Sequence, residues 1–211
     1  MFRYLNLFTP IAAVLAALLM CSQTTHAQLP TYLPTDGLVG WWPFNGNAND
    51  ESGNGNDGVV NGATFVEDRL GNLNQALYLN NTQVTFTDNL LIQSNQSYTF
   101  TYWLQINTLE ETHLFSQRAT NGYTGFEILL ENNEVWPYYG SSSTNFQWVD
   151  ISNPICLGTF HLVNVVINTD IDSVLCYVDG IYNGGYSISN IGSINNMGEA
   201  LLGARTLNLS A

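Results

Sequence analysis

The sequence predicts an all-β fold, a two-sheet antiparallel sandwich, and three observations carry that prediction. Residues 160–180, FHLVNVVINTDIDSVLCYVDG, alternate strictly: Val163, Val165 and Ile167 share one face, and Val174, Cys176 and Val178 share the return face. A period of two rich in β-branched residues marks half-buried strands rather than a helix. Short extended stretches then recur along the chain, with polar, glycine-rich turns between them and no amphipathic helical stretch. Finally, the hairpin has one apolar face and one mixed face carrying Asn164, Tyr177 and Asp179, so a second layer must cover the apolar side.

Taken in order, the chain opens with Arg3, an apolar run over 11–20, and Thr25-His26-Ala27, with small residues where signal peptidase reads. This pattern predicts a secretory signal over residues 1–27, cleaved after Ala27, then a linker at 28–36 and one sandwich domain at 37–211. The apolar run falls short of the ~20 residues of a membrane span. A lipoprotein anchor would use Cys21, but Met20 stands where a small residue is needed. Residues 38–44 read as a short first strand at a sheet edge, because Pro43 cannot donate to a ladder. Residues 45–62, NGNANDESGNGNDGVVNG, form one long loop in which left-handed conformations are cheap.

Extended structure resumes at 59–66, 74–80 and 83–86. Residues 98–106 give the clearest single strand, with Tyr98, Phe100, Tyr102, Leu104 and Ile106 on one face and Thr99, Thr101, Trp103 and Gln105 on the other. Strands at 113–117, 123–130, 134–139 and 145–151 precede the hairpin, and 181–187 and 200–203 follow it. Within the hairpin, pairing Asn168 with Ser173 sets Ile167 opposite Val174, Val165 opposite Cys176 and Val163 opposite Val178. A slip of one residue would expose the apolar set, so this register is expected. Asp170 and Asp172 are expected to make the turn by bonding their own backbone.

Past Ala27 the chain holds all 17 acidic residues against Arg69, Arg118 and Arg205, with no lysine, a net charge near −14. Such a surface repels nucleic acid and anionic lipid, so neither is expected as a partner, and it leaves carboxylates for divalent cations. Only 10% of residues are charged, so Asn, Gly, Ser, Thr and aromatic side chains must cover much of the surface. Cys156 and Cys176 survive cleavage. The hairpin register separates them by about 30 Å along a straight strand, against the ~7 Å a disulfide allows. Separate thiols are expected, with pairing left to a chain reversal at Gly158.

The run GLVGWWPFNGNANDESGNGNDG, then DRLGN at 68–72, YTFTYWLQI, FHLVNVV and LCYVDG resembles the laminin-G-like, concanavalin-A-like jelly-roll domains of secreted bacterial proteins. The resemblance covers nearly all of the chain past the signal. Phe160 stands where that family usually has Trp, and Asn80-Asn81-Thr82 replaces an Asp-Gly pair. The resemblance implies a non-catalytic adhesion or binding module, a glycan or extracellular protein as partner, and structural calcium near the Asn/Gly-rich end. It also implies a last strand returning beside the first. No counterpart follows Ala211, so the sandwich is expected to lack that strand and to leave the apolar side chains of 38–44 without a neighbour.

For chemistry, laminarinase-type glycosidases of related fold carry Glu-x-Asp-x-Glu. The nearest stretch is Glu127-Ile128-Leu129-Leu130-Glu131, where Leu129 replaces the assisting Asp, so Glu127 and Glu131 read as solvated strand residues and catalysis is not expected. His161 has no His or Cys partner at metal-ligand spacing and reads as structural. Asp50-x-Ser52-x-Asn54-Gly55 imitates half an EF-hand loop, but position 12 is Asn61. Two readings stay open there: a rim calcium site on Asp50 and Asn54, or a loop held by its own side chains. Ligand contact is expected from Trp103, Trp136, Tyr138 and Trp148, flat rings suited to stacking on sugar faces. The expected function is a secreted, non-catalytic carbohydrate-binding or adhesion module. A glycoside hydrolase and a structural spacer are the alternatives.

Overall fold

The computed structural model describes residues 29–86, 96–119, 122–148, 154–194 and 198–203. The signal expected at 1–27, the end of the stretch at 145–151 and residues 206–211 lie outside them. Among the described residues there is no helix. The strands are β1 (Gly58–Asn61), β2 (Thr64–Val66), β3 (Ala76–Tyr78), β4 (Gln83–Phe86), β5 (Tyr98–Gln105), β6 (Thr112–Arg118), β7 (Gly125–Glu131), β8 (Glu134–Gly140), β9 (Phe146–Trp148), β10 (Phe160–Asn168), β11 (Ser173–Val178), β12 (Ile181–Ser187) and β13 (Leu201–Leu202).

They build a seven-stranded sheet in the order β1-β4-β13-β6-β7-β8-β9 and a four-stranded sheet in the order β12-β11-β10-β5, with β2-β3 as a separate ribbon. All described pairings are antiparallel. The predicted hairpin register holds at every position named: Asn168↔Ser173, Ile167↔Val174, Val165↔Cys176 and Val163↔Val178. The turn is made differently from expectation. Asn168, not an aspartate, caps it, its Oδ1 accepting the N–H groups of Asp170 (2.9 Å) and Ile171 (3.3 Å). The next hairpin closes through Asp179 (φ 52°) and Gly180 (φ 77°), both left-handed as a type I′ turn requires.

The two sheets meet through the faces that alternation marks. Val163, Val165, Ile167, Val174 and Cys176 from one sheet share a core with Val84, Phe115, Phe126, Ile128 and Val135 from the other. Phe100 of β5 links the layers, its ring 4.8 Å from Phe115 and 5.1 Å from Phe126. Cys156 is exposed and Cys176 buried, and both are free thiols. Burial pushes the Cys176 thiol up to about 12, which keeps it protonated and inert.

Two expectations fail near the N-terminal end. Residues 38–44 are not a strand. Their backbone groups are met by loop side chains: the Trp41 N–H donates to Asp50 Oδ1 at 2.9 Å, and the Val39 carbonyl accepts from Asn54 and Asn56. With those groups satisfied locally, no ladder is needed. Nor do their side chains lack neighbours. Trp42 packs 4.9 Å from Phe86, and both Trp42 and Phe44 lie against the core, although Val39 is exposed. The last described strand, β13, sits inside the large sheet between β4 and β6.

Candidate functional site

The strand register sets four sequence-derived candidates in two separate places. On the outer face of the large sheet, Ser116, Glu127, Tyr138 and Trp148 form one row across β6 to β9. Trp136 lies on the same face, two residues from Tyr138 and opposite Leu129. The central strands β6, β7 and β8 are buried on both faces, so this row is largely closed to solvent. Glu127, expected to be solvated, is fully buried. Its Oε2 lies 2.5 Å from Arg118 Nη1, and its Oε1 pairs with His113 Nδ1 at 2.6 Å. Burial alone would raise the Glu127 pKa, but His113 and Arg118 outweigh it and hold the carboxyl below its ordinary value. Glu131 is exposed, as expected.

Tyr138 is corrected for the same reason. It is 2% exposed, its hydroxyl donates to the Tyr123 carbonyl at 2.7 Å, and the Arg118 guanidinium lies 4.1 Å from its ring centroid. A ring this deeply buried offers no face to a ligand. Trp148 and Phe146 pack against it at 4.8 and 5.7 Å. The cluster is a salt-bridged support with an aromatic lid. A carboxylate held ionised out of reach of solvent cannot serve as a glycosidase acid.

Trp103 stands on the other sheet and is 47% exposed. It shares the outer face of the four-stranded sheet with Leu162 beside it, and with Thr101, Asn164, Tyr177 and Tyr182 in the next row. Thr101 Oγ1 donates to Asn164 Oδ1 at 2.8 Å, and Tyr177 and Tyr182 meet edge to face at 5.7 Å. The guanidinium of Arg69 lies 4.4 Å from the Trp103 ring centroid. This face combines exposed rings, an amide, a hydroxyl and an arginine. Sequence reasoning found Trp103 from its place on the polar side of β5 but missed Arg69, which is distant in sequence. At the end of this sheet His161 Nδ1 pairs with Asp179 Oδ2 at 2.7 Å, the structural role expected of it.

The Asn/Gly-rich loop is knitted by its own groups. Both oxygens of Asp50 are engaged, Oδ1 by the N–H groups of Trp41 and Ser52 and Oδ2 by that of Asn56. Burial works against the charge, but these bonds prevail and lower the Asp50 pKa. The Asn54 amide nitrogen donates to the Leu38 carbonyl at 2.7 Å, and the Asp57 carboxylate accepts the Asp50 N–H at 2.8 Å. Among the described residues no three His, Cys, Asp or Glu side chains gather as metal ligands would. N–H donors therefore meet both oxygens of Asp50 in this loop.

The outer face of the four-stranded sheet is thus open and aromatic, while on the large sheet Glu127 is locked into a salt bridge. The chain belongs to the Clostridium neurotoxin N-terminal receptor-binding family, whose model matches residues 45–207. That family is non-catalytic. The all-β fold implied by the laminin-G-like resemblance is present, but the family is this one. Among solved structures the chain is similar to the ligand-binding domain of botulinum neurotoxin serotype D in complex with N-acetylneuraminic acid, at 12% identity and TM-score 0.58, covering 74% of this chain and 39% of that one. It is also similar to the binding domain of Paraclostridial Mosquitocidal Protein 1, at 15% identity and TM-score 0.56, covering 74% and 41%. These likenesses establish a shared fold. The chain spans about 40% of the length of these two structures. No curated protein matches it.

Proposed function

We propose that this chain is a secreted receptor-binding module whose ligand is a glycan, bound on the outer face of the four-stranded sheet. The observation that carries the reading is the half-exposed Trp103, with Arg69 against its ring and Asn164 in the next row of the same face. An indole face stacks on the C–H face of a sugar, while arginine and amide groups bond its hydroxyls or a carboxylate. Membership of a receptor-binding family supports it, as does a fold relative crystallised with N-acetylneuraminic acid. Secretion rests on the signal pattern over residues 1–27, with residues 28–36 as linker before the domain. A glycan array carrying sialylated and neutral chains is the test. Trp103→Ala should weaken the binding found by about tenfold or more with little change in Tm, since the ring is exposed. Unchanged affinity in that variant would remove the ligand from this face.

For calcium, the geometry supports a loop that holds itself. Adding calcium to chelator-treated protein should leave Tm within about 1 °C, because a ligand that does not bind the native state adds no stability. A rise of several degrees would restore the ion to the Asp50–Asn54 rim.

A further inference from the structure

The open face of the four-stranded sheet does not end at Trp103. Two of its rows, from Thr99 to Gly185 and from Thr101 to Tyr182, cross all four strands without a charged residue, in a chain that holds 17 acidic ones. At the far edge stands Tyr182, 57% exposed. Its ring lies along β12 instead of standing upright: a Cβ at Gly185 would come within 2.8 Å of the Tyr182 hydroxyl. Gly185 therefore leaves the room in which the ring lies down on the sheet, one face toward the backbone and the other toward water. Tyr177 meets it edge-on from β11 at 5.7 Å. A ring laid flat before any ligand arrives gives up little freedom on binding.

The distance between the two rings sets the shape of the occupant. Trp103 is on β5 and Tyr182 on β12, three strand spacings apart, or about 14 Å. A single sugar ring cannot touch both. Between them Val166 and Leu175 are half-buried and form an apolar floor. Asn164 Oδ1 accepts from Thr101, which leaves the Asn164 amide nitrogen without a protein partner among the described residues. A purely apolar occupant would bury that donor unpaired. A row of pyranose rings fits both demands, setting C–H faces on the aromatic rings and hydroxyls against the amide.

We propose that Tyr182 is a second stacking platform and that the ligand is a linear glycan chain of several units, lying across the strands from Trp103 to Tyr182. This rests on the glycan reading of the Trp103 face and adds the length of the chain to it. The test is a calorimetric titration of the purified protein with di- to hexasaccharides of the cello-, laminari-, malto-, xylo- and galacturono- series. In at least one series affinity should rise with chain length and level off once both rings are reached. Tyr182→Ala should weaken hexasaccharide binding about tenfold and leave disaccharide binding unchanged. Tyr182→Phe keeps the ring and should bind as the wild type does, whereas Trp103→Ala should weaken every length. Affinity independent of length would overturn this inference, as would a Tyr182→Phe variant as weak as Tyr182→Ala. If Tyr182→Ala has no effect while Trp103→Ala still weakens binding, this inference falls and the glycan reading stands. If neither substitution matters, or no series binds, both fall. A concentration-dependent dimer broken by Tyr182→Ala would give the face to a second copy of the chain and overturn the proposal as well.

Discussion

Glu127→Gln is expected to lower the unfolding free energy by about 3–5 kcal/mol, the cost of leaving a buried charge without its partner. In a chain of this size that corresponds to a fall in Tm of roughly 6–20 °C. Glutamine keeps the shape of the side chain, so the loss reports the charge: Arg118, 5% exposed, would face a neutral amide across 2.5 Å. The double variant Glu127→Leu with Arg118→Met should recover most of the loss, because removing both charges removes the desolvation cost along with the attraction. Thermal melts of the wild type and both variants decide the matter. A Glu127→Gln variant within about 1 kcal/mol of wild type would show the cluster to be solvated. The same pair makes stability depend on pH. The Glu127 pKa is depressed in the folded state from its ordinary 4.5, despite burial that alone would raise it. Its contribution is therefore present above about 4.5 and lost as pH falls through the lower folded value.

Phe126→Ala should cost a similar amount, about 3–5 kcal/mol, by a different route. Phe126 is fully buried, stacks on Phe100 at 5.1 Å and lies 6.2 Å from Phe115, so it bridges the two sheets. Truncation leaves a cavity between layers whose backbones are fixed by ladders and cannot collapse into it. Phe146→Ala, on a ring 40% exposed at the edge strand, is the matched control and should cost under about 1.5 kcal/mol. Denaturant unfolding of both variants checks the contrast. Equal costs would mean that the sheets are not packed through the Phe100–Phe126 contact.

The fold was readable because alternation is a local property. In β5 and the β10–β11 hairpin one face is uniformly apolar, and a one-residue slip would have exposed it, so the register followed from the residues themselves. The site was less readable. Glu127 occupies an outward position in β7, which in an antiparallel sheet normally faces water. Its partners lay within reach of sequence reasoning all the same. The pairing Ser116↔Glu127 places Arg118 on the diagonal, two residues along, so a register for β6–β7 would have pointed to that pair. His113 was harder, because a bulge between His113 and Phe115 shifts its register. Residues 38–44 were misread as a short edge strand, because the loop side chains that take up their hydrogen bonds follow later in the chain.

By itself, the sequence determined the sandwich, most strand positions, the central hairpin register, the separation of Cys156 from Cys176 and the outward place of Trp103 on β5. Each depends on period-two patterning or chain distance, which neighbouring residues set. Tertiary structure alone decided that Glu127 and Tyr138 are buried while Trp103 is open, although all three lie on faces turned away from the shared core. Outward faces differ only in what packs over them. That depends on residues far away in the chain, and no local pattern records it.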